Sequence, residues 1–145
     1  MTYQLRQTTN TERVLERMYA THPRQITFST FTSCIAVAVL LPTGNLWAAH
    51  LVLTNDENNF INNNADINQI LNQIPNGTAA TLFGSTEVWR DQITPQYNLL
   101  VATLQQRFPN LRVIDNNDGQ YTASINIHGG IEIRQSTNRE RRSSV

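Results

Sequence analysis

The feature that most constrains this chain is a pair of apolar runs hinged at a turn. Ile35-Ala36-Val37-Ala38-Val39-Leu40-Leu41 leads through Pro42-Thr43-Gly44-Asn45 into Leu46-Trp47-Ala48-Ala49-His50-Leu51-Val52-Leu53. A near-continuous apolar run of this length, bounded by turn residues, reads as a central strand buried on both faces. Proline presets φ and glycine accepts positive φ, so the four residues between the runs read as a turn. Two strands hinged there lie antiparallel. Residues equidistant from the hinge then stand opposite each other, close enough for side chains on one face to touch.

The only cysteine, Cys34, stands at the mouth of the first run, and His50 lies at a comparable distance from the hinge in the second. A thiolate is a nucleophile, and a neighbouring imidazole can take the thiol proton. Such a pair needs a group to orient the imidazole and amide donors for an oxyanion. The hydroxyl-rich run from Thr27 to Ser33 offers the first, and the backbone N–H of Cys34 with one more offers the second. Free cysteine also packs readily as a small buried hydrophobe. Pattern alone therefore leaves a catalytic and a packing role both open.

The segment Thr32-Ser33-Cys34-Ile35-Ala36-Val37-Ala38-Val39-Leu40-Leu41-Pro42, followed by His50-Leu51-Val52-Leu53, resembles the bacterial chemoreceptor glutamine deamidase (CheD) family. There a Gly-Ser-Cys-Val-Ala-Val run leads through a short turn into His-Phe-Met-Leu. Leu82-Phe83-Gly84-Ser85 resembles the family's Phe-Gly-Gly segment before its long helix, and the stretch from Ile125 to Arg134 resembles its Phe-Asn-Thr-x-Thr-Gly hairpin. The motifs are short, but they fall in the family's order from Thr27 to Arg134, over most of the chain. A similar Cys–His arrangement occurs in the cytotoxic necrotizing factor toxins, which deamidate host proteins.

The resemblance implies an α+β fold, with a layered, sandwich-like β core of mixed and antiparallel strands flanked by helices. It implies Cys34 as nucleophile, His50 as base, and the backbone N–H groups of Ser33 and Cys34 as oxyanion donors. It implies no metal and no cofactor. Two positions depart from the family pattern: Thr32 replaces a glycine, and Phe28 stands where an orienting threonine is expected. Thr27 is the choice for that third member, with Ser29 and Thr30 open.

Composition sets the outer bounds. The chain's 145 residues are enough for one domain with a real core. Residues 1–135 read as that domain and 136–145 as a polar basic tail. Net charge is zero and 15% of residues are charged, which gives no basic face for nucleic acid or an anionic membrane. A lone cysteine excludes an internal disulfide and a zinc site built from several thiolates. No apolar run approaches membrane-spanning length, and Met1 to Asn10 is too polar to read as a signal peptide. All eleven basic residues are arginines. Roughly eight or nine lysines would be ordinary at this length. Removal of ubiquitin acceptor sites in a protein working in a eukaryotic cytosol is one account; a lineage preference for arginine is the other.

In chain order, Thr11 to Tyr19 reads as a short helix with Val14, Leu15 and Met18 as its stripe, ended by His22-Pro23. Trp47 reads as core or as the wall of a slot. Thr54 to Asn64 reads as an exposed asparagine-rich loop able to rim a substrate site. Ile67, Ile70, Leu71 and Ile74 mark a helix capped by Asn64 and stopped by Pro75-Asn76-Gly77. A strand over Thr78 to Phe83 precedes a tether, Thr86 to Gln92. The longest helix follows, with Thr94 as cap, Pro95 at its first position, and Tyr97, Leu100, Val101, Leu104 and Phe108 on its buried side. Asn110 to Asp115 reads as a strand, Asn116 to Gly119 as a turn, and Tyr121 to Arg134 as a hairpin about His128-Gly129-Gly130.

The expected function is a monomeric protein glutamine deamidase. It is a hydrolase acting on a target protein through a Cys34 thioester, with neither nucleic acid nor membrane as partner. Its place is the bacterial cytoplasm or, for a delivered effector, the host cytosol. The alternatives are a chemoreceptor deamidase, a transglutaminating variant of the same chemistry, and a binding module in which Cys34 is merely packed. A catalytic Cys34 is expected to alkylate faster than a free thiol, in a manner dependent on His50.

Overall fold

The computed structural model describes residues 2–136. In chain order the strands are β1 (Arg6–Gln7), β2 (Met18–His22), β3 (Gln25–Thr27), β4 (Ile35–Leu40), β5 (Leu46–Leu51), β6 (Ala79–Gly84), β7 (Arg112–Asp115), β8 (Gln120–Ile125) and β9 (Ile131–Ser136). The helices are α1 (Asn64–Gln73), α2 (Thr86–Gln92) and α3 (Thr94–Arg107). Six strands form one sheet in the order β1-β2-β5-β4-β6-β7, and β3-β8-β9 form a second. The architecture is α+β.

The hairpin at Pro42-Asn45 forms the centre of the large sheet, with β4 antiparallel to both β5 and β6. Its two faces are sorted by the period of two that a pleated strand imposes. Ile35, Val37, Val39, Trp47, Ala49 and Leu51 pack with α1 and α3 residues such as Ile67, Ile70, Leu100 and Leu104. Ala36, Ala38, Leu46 and Ala48 face the second sheet, and the space between the sheets is filled by Phe83 of β6 together with Phe28, Phe31 and Tyr121. The small side chains along β4 and β5 leave room for these rings to approach one another. Phe31 and Tyr121 have ring centroids 5.4 Å apart, and Phe28 and Phe83 5.7 Å. The result is three layers, helices on the large sheet on the small sheet.

Several local expectations are corrected. Thr11 to Tyr19 forms no helix: Val14 bridges to Phe28, Arg17 takes φ of +59°, and Met18 opens β2. Its backbone groups bond to distant strands instead, Val14 N–H to Thr27 O at 2.9 Å and Arg17 N–H to His50 O at 2.8 Å. A nine-residue helix is marginal on its own, so tertiary pairing wins. Thr86 to Gln92 is helix α2 rather than a tether. Its start is satisfied from afar, by Asp115 Oδ1 accepting from Glu87 N–H at 2.9 Å and Thr86 Oγ1 at 3.0 Å. Helix α1 is capped by Asn63 rather than Asn64, and Ile93 rather than Thr94 stands at the N-cap of α3, without a side-chain cap. Asn116 to Gly119 forms no hairpin turn but an irregular link, bent at Asp118, between strands of different sheets. Among the described residues no helix is long and apolar enough to cross a membrane. All of the tail but Ser136, which ends β9, lies outside the described residues.

Candidate active site

Register places the two expected residues. Ala36 stands opposite His50 and Ile35 opposite Leu51, so Cys34, one residue before β4, is diagonal to His50 on the same face. Diagonal neighbours of this kind lie roughly 7–8 Å apart at Cα, within reach of side chains. The face is the one turned to the second sheet, and both residues are 0% exposed. Trp47, of opposite parity, faces the helices and stacks on Tyr19 at 5.6 Å. It is core rather than a slot wall.

His50 is held in one tautomer. Its Nδ1 lies 3.0 Å from Val14 O and 3.3 Å from Ser29 Oγ. A carbonyl oxygen only accepts, so Nδ1 carries the hydrogen and Nε2 carries the lone pair. That Nε2 is buried and the described residues give it no hydrogen-bond partner. Burial holds the imidazole pKa below its ordinary value and keeps the ring neutral. The ring lies against Phe31, with centroids 4.6 Å apart, and edge-on to Phe28 at 5.9 Å.

The thiol is directed elsewhere. Cys34 Sγ lies 3.4 Å from Thr32 O and 3.7 Å from Glu16 Oε2. The structure shows no hydrogen bond between Cys34 and His50. Burial, with the Glu16 carboxylate adding to it, pushes the thiol up to about 12. The thiol thus hydrogen-bonds away from the imidazole, and its burial disfavours the thiolate. Above the pair lies a cavity of about 490 Å³ lined by Arg13, Glu16, Arg17, Ser29, Thr30 and Thr32 among others. Glu16 and Thr32 touch the sulfur and Ser29 touches the imidazole, so both functional groups sit one layer beneath it. No residue of the Thr54 to Asn64 loop lines this cavity. That loop is tied down instead by Asn55, whose side chain bonds Asp66, Glu57 N–H and Asn59 N–H.

Two further expected residues stand differently. Thr27 Oγ1 is paired with Thr122 Oγ1 at 2.7 Å and leaves the imidazole to Ser29, while Thr30 reaches only the cavity wall. Ser33 has φ of +60°, and its N–H donates to Asp118 Oδ1 at 3.0 Å. That amide is already satisfied, by a carboxylate that would repel an oxyanion. Trp89 Nε1 donates to Ser33 O at 3.0 Å and Ser85 N–H to Cys34 O at 2.8 Å, so α2 and the end of β6 clamp the loop before the cysteine.

Glu16, Val14 and Asp118 were not legible as site residues. They meet Cys34, His50 and Ser33 across 18, 36 and 85 positions of sequence. Glu16 and Val14 lie in the stretch that reads as a helix, and Asp118 in one that reads as a turn; no local signal marks them. Among the described residues no three His, Cys, Asp or Glu side chains gather as a metal ion requires. No family model matches the chain, and neither a curated protein nor a solved structure matches it.

Proposed function

We propose that the chain is a cofactor-free protein glutamine deamidase working through Cys34 and His50, on a scaffold of the CheD and cytotoxic necrotizing factor type. The observation that carries the reading is His50. A neutral imidazole, fixed through Nδ1–H to Val14 O and with an Nε2 lone pair that no described residue engages, is a general base awaiting a proton donor, and the thiol of Cys34 stands one diagonal away. A resting thiol pushed up to about 12 beside a neutral imidazole favours proton transfer during attack over a standing ion pair.

In this reading a glutamine side chain enters from the cavity. Sγ bonds to the carboxamide carbon as its proton passes to His50 Nε2. The oxyanion is met by the Cys34 backbone N–H, the one of the two expected donors that Asp118 does not hold. The C–N bond breaks and ammonia leaves with the proton from His50. Water then attacks the thioester, regenerating the thiol and leaving glutamate. The absence of lysine favours a host protein as target of a delivered effector; the family likeness keeps a chemoreceptor as the alternative.

A second reading, a binding module on the same fold, is favoured by the missing Cys34–His50 hydrogen bond and the full burial of both groups. Intact mass spectrometry of purified candidate targets separates the two. Deamidation adds about one dalton per site, whereas amine incorporation adds the mass of the amine and reports transglutamination. A mass gain that persists with Cys34→Ala defeats the thioester route.

A further inference from the structure

The Cys34 sulfur is fully buried, yet the two groups touching it belong to exposed residues, Glu16 and Thr32, that also line the cavity. The nucleophile thus lies one side chain below solvent, and that side chain carries a carboxylate. The fully buried His50 Nε2, without a partner among the described residues, is an independent sign that the site is built to receive a further group.

A carboxamide and the carboxylate it becomes differ at one position, NH2 against O. An NH2 brought beside the sulfur can donate N–H to Glu16 Oε2. A carboxylate there sets two anions at near contact where water is scarce, with acceptor facing acceptor. Sites that hydrogen-bond one isostere reject another that leaves their polar groups unpaired. Arg13 and Arg17 line the same cavity with the opposite sign. Arg17 is engaged with Asp56 at 3.6 Å and Thr54 O at 3.1 Å, and Arg13 is exposed. Glu16 is the charged group in contact with the sulfur.

We propose that Glu16 is the selectivity element of this site, accepting a neutral carboxamide and refusing the corresponding carboxylate, so that glutamine enters and glutamate is expelled. The inference rests on the Cys34 site of the deamidase reading and names what sets its substrate class.

Iodoacetamide and iodoacetate test it, because they share one leaving group and differ as glutamine differs from glutamate. Each forms an Sγ–C bond, expels iodide and sends the thiol proton to solvent. Rates on the folded full chain are read by intact mass at neutral pH, with Cys34→Ala confirming the site. The amide-to-acid rate ratio is divided by the same ratio for glutathione. The expected quotient is roughly tenfold or more for the native chain, and Glu16→Gln, equal in shape and uncharged, brings it to about twofold or less.

A native quotient near one, a preference for iodoacetate such as Arg13 would impose, or a sulfur that neither probe reaches overturns the proposal. So does a Glu16→Gln quotient that equals the native one. The native measurement stands even where the variant fails to fold, which thermal melting checks. The reaction itself is read separately: a chain that discriminates the probes but converts no glutamine loses the deamidase reading and keeps Glu16 as a selector. A chain that converts glutamine without discriminating loses only Glu16.

Discussion

Gly84→Ala is the sharpest structural perturbation the site allows. Gly84 ends β6 opposite Ile35 and adopts φ of +115°. A Cβ there would lie 2.5 Å from Cys34 O, 2.8 Å from Ile35 Cα and 3.2 Å from Phe31 Cδ2. Two of those atoms are backbone and cannot rotate away. Positive φ costs an alanine about 1–2 kcal/mol, and forcing the strands apart about 1–3 kcal/mol more. The sum, about 2–5 kcal/mol, is reduced by about 0.4–1 kcal/mol because alanine also stiffens the unfolded chain. Gly44→Ala is the control: φ is +91° with nothing within 4 Å, so it bears the backbone cost alone. Urea unfolding followed by the fluorescence of Trp47 and Trp89 gives both values. Gly84→Ala is expected to fall below Gly44→Ala by about 1–3 kcal/mol. Equal destabilisation by the two would refute the close approach of β6 to the cysteine strand.

Other outcomes follow from named contacts. In the proposed deamidase reaction Ser29→Ala is expected to lower the rate more than Thr27→Ala, because Ser29 touches His50 whereas Thr27 is bonded to Thr122; initial rates on one target read the order. Tyr3→Phe is expected to cost about 1–3 kcal/mol in urea unfolding, since the Tyr3 hydroxyl donates to Val52 O and accepts from Val52 N–H, both buried. Burial lowers the His50 pKa below its ordinary 6.5, so the unfolded chain takes up the proton first. Stability attached to His50 is therefore full above 6.5 and declines as pH falls below it, and His50→Gln should flatten that decline in unfolding series run from neutral to mildly acid pH. Cys34 acts at the other end: its pKa is raised from 9.0 to about 12, so stability is lost as pH climbs through that window, a loss Cys34→Ala should remove.

What the sequence reveals and what it hides divide along one physical line. The central hairpin is legible because burial pattern and turn chemistry are both local, and the same holds for the β8–β9 hairpin about His128-Gly129-Gly130 and for α1 and α3. The Cys34–His50 juxtaposition follows from counting residues to the hinge. Helix α2 is hidden because its first turn is completed by Asp115 from another strand, and its Trp89 is anchored on Ser33 O. The stretch around Val14 looks helical because its apolar spacing is helical, while its hydrogen-bond partners lie on β3 and β5. The surroundings of the sulfur are hidden for the same reason. Glu16 and Asp118 reach it or its loop only once the two sheets have packed, so whether the thiol is activated or quiet cannot be read from neighbours in sequence.

The most direct test of the account is glutamine-to-glutamate conversion in water enriched in oxygen-18, read peptide by peptide in a cell lysate incubated with the native chain, with Cys34→Ala and with His50→Gln. Thioester hydrolysis predicts new glutamates carrying one heavy oxygen with the native chain and none above background with either variant. Labelled glutamates that form equally with Cys34→Ala, or a native chain that yields none in either bacterial or eukaryotic lysate, would contradict it.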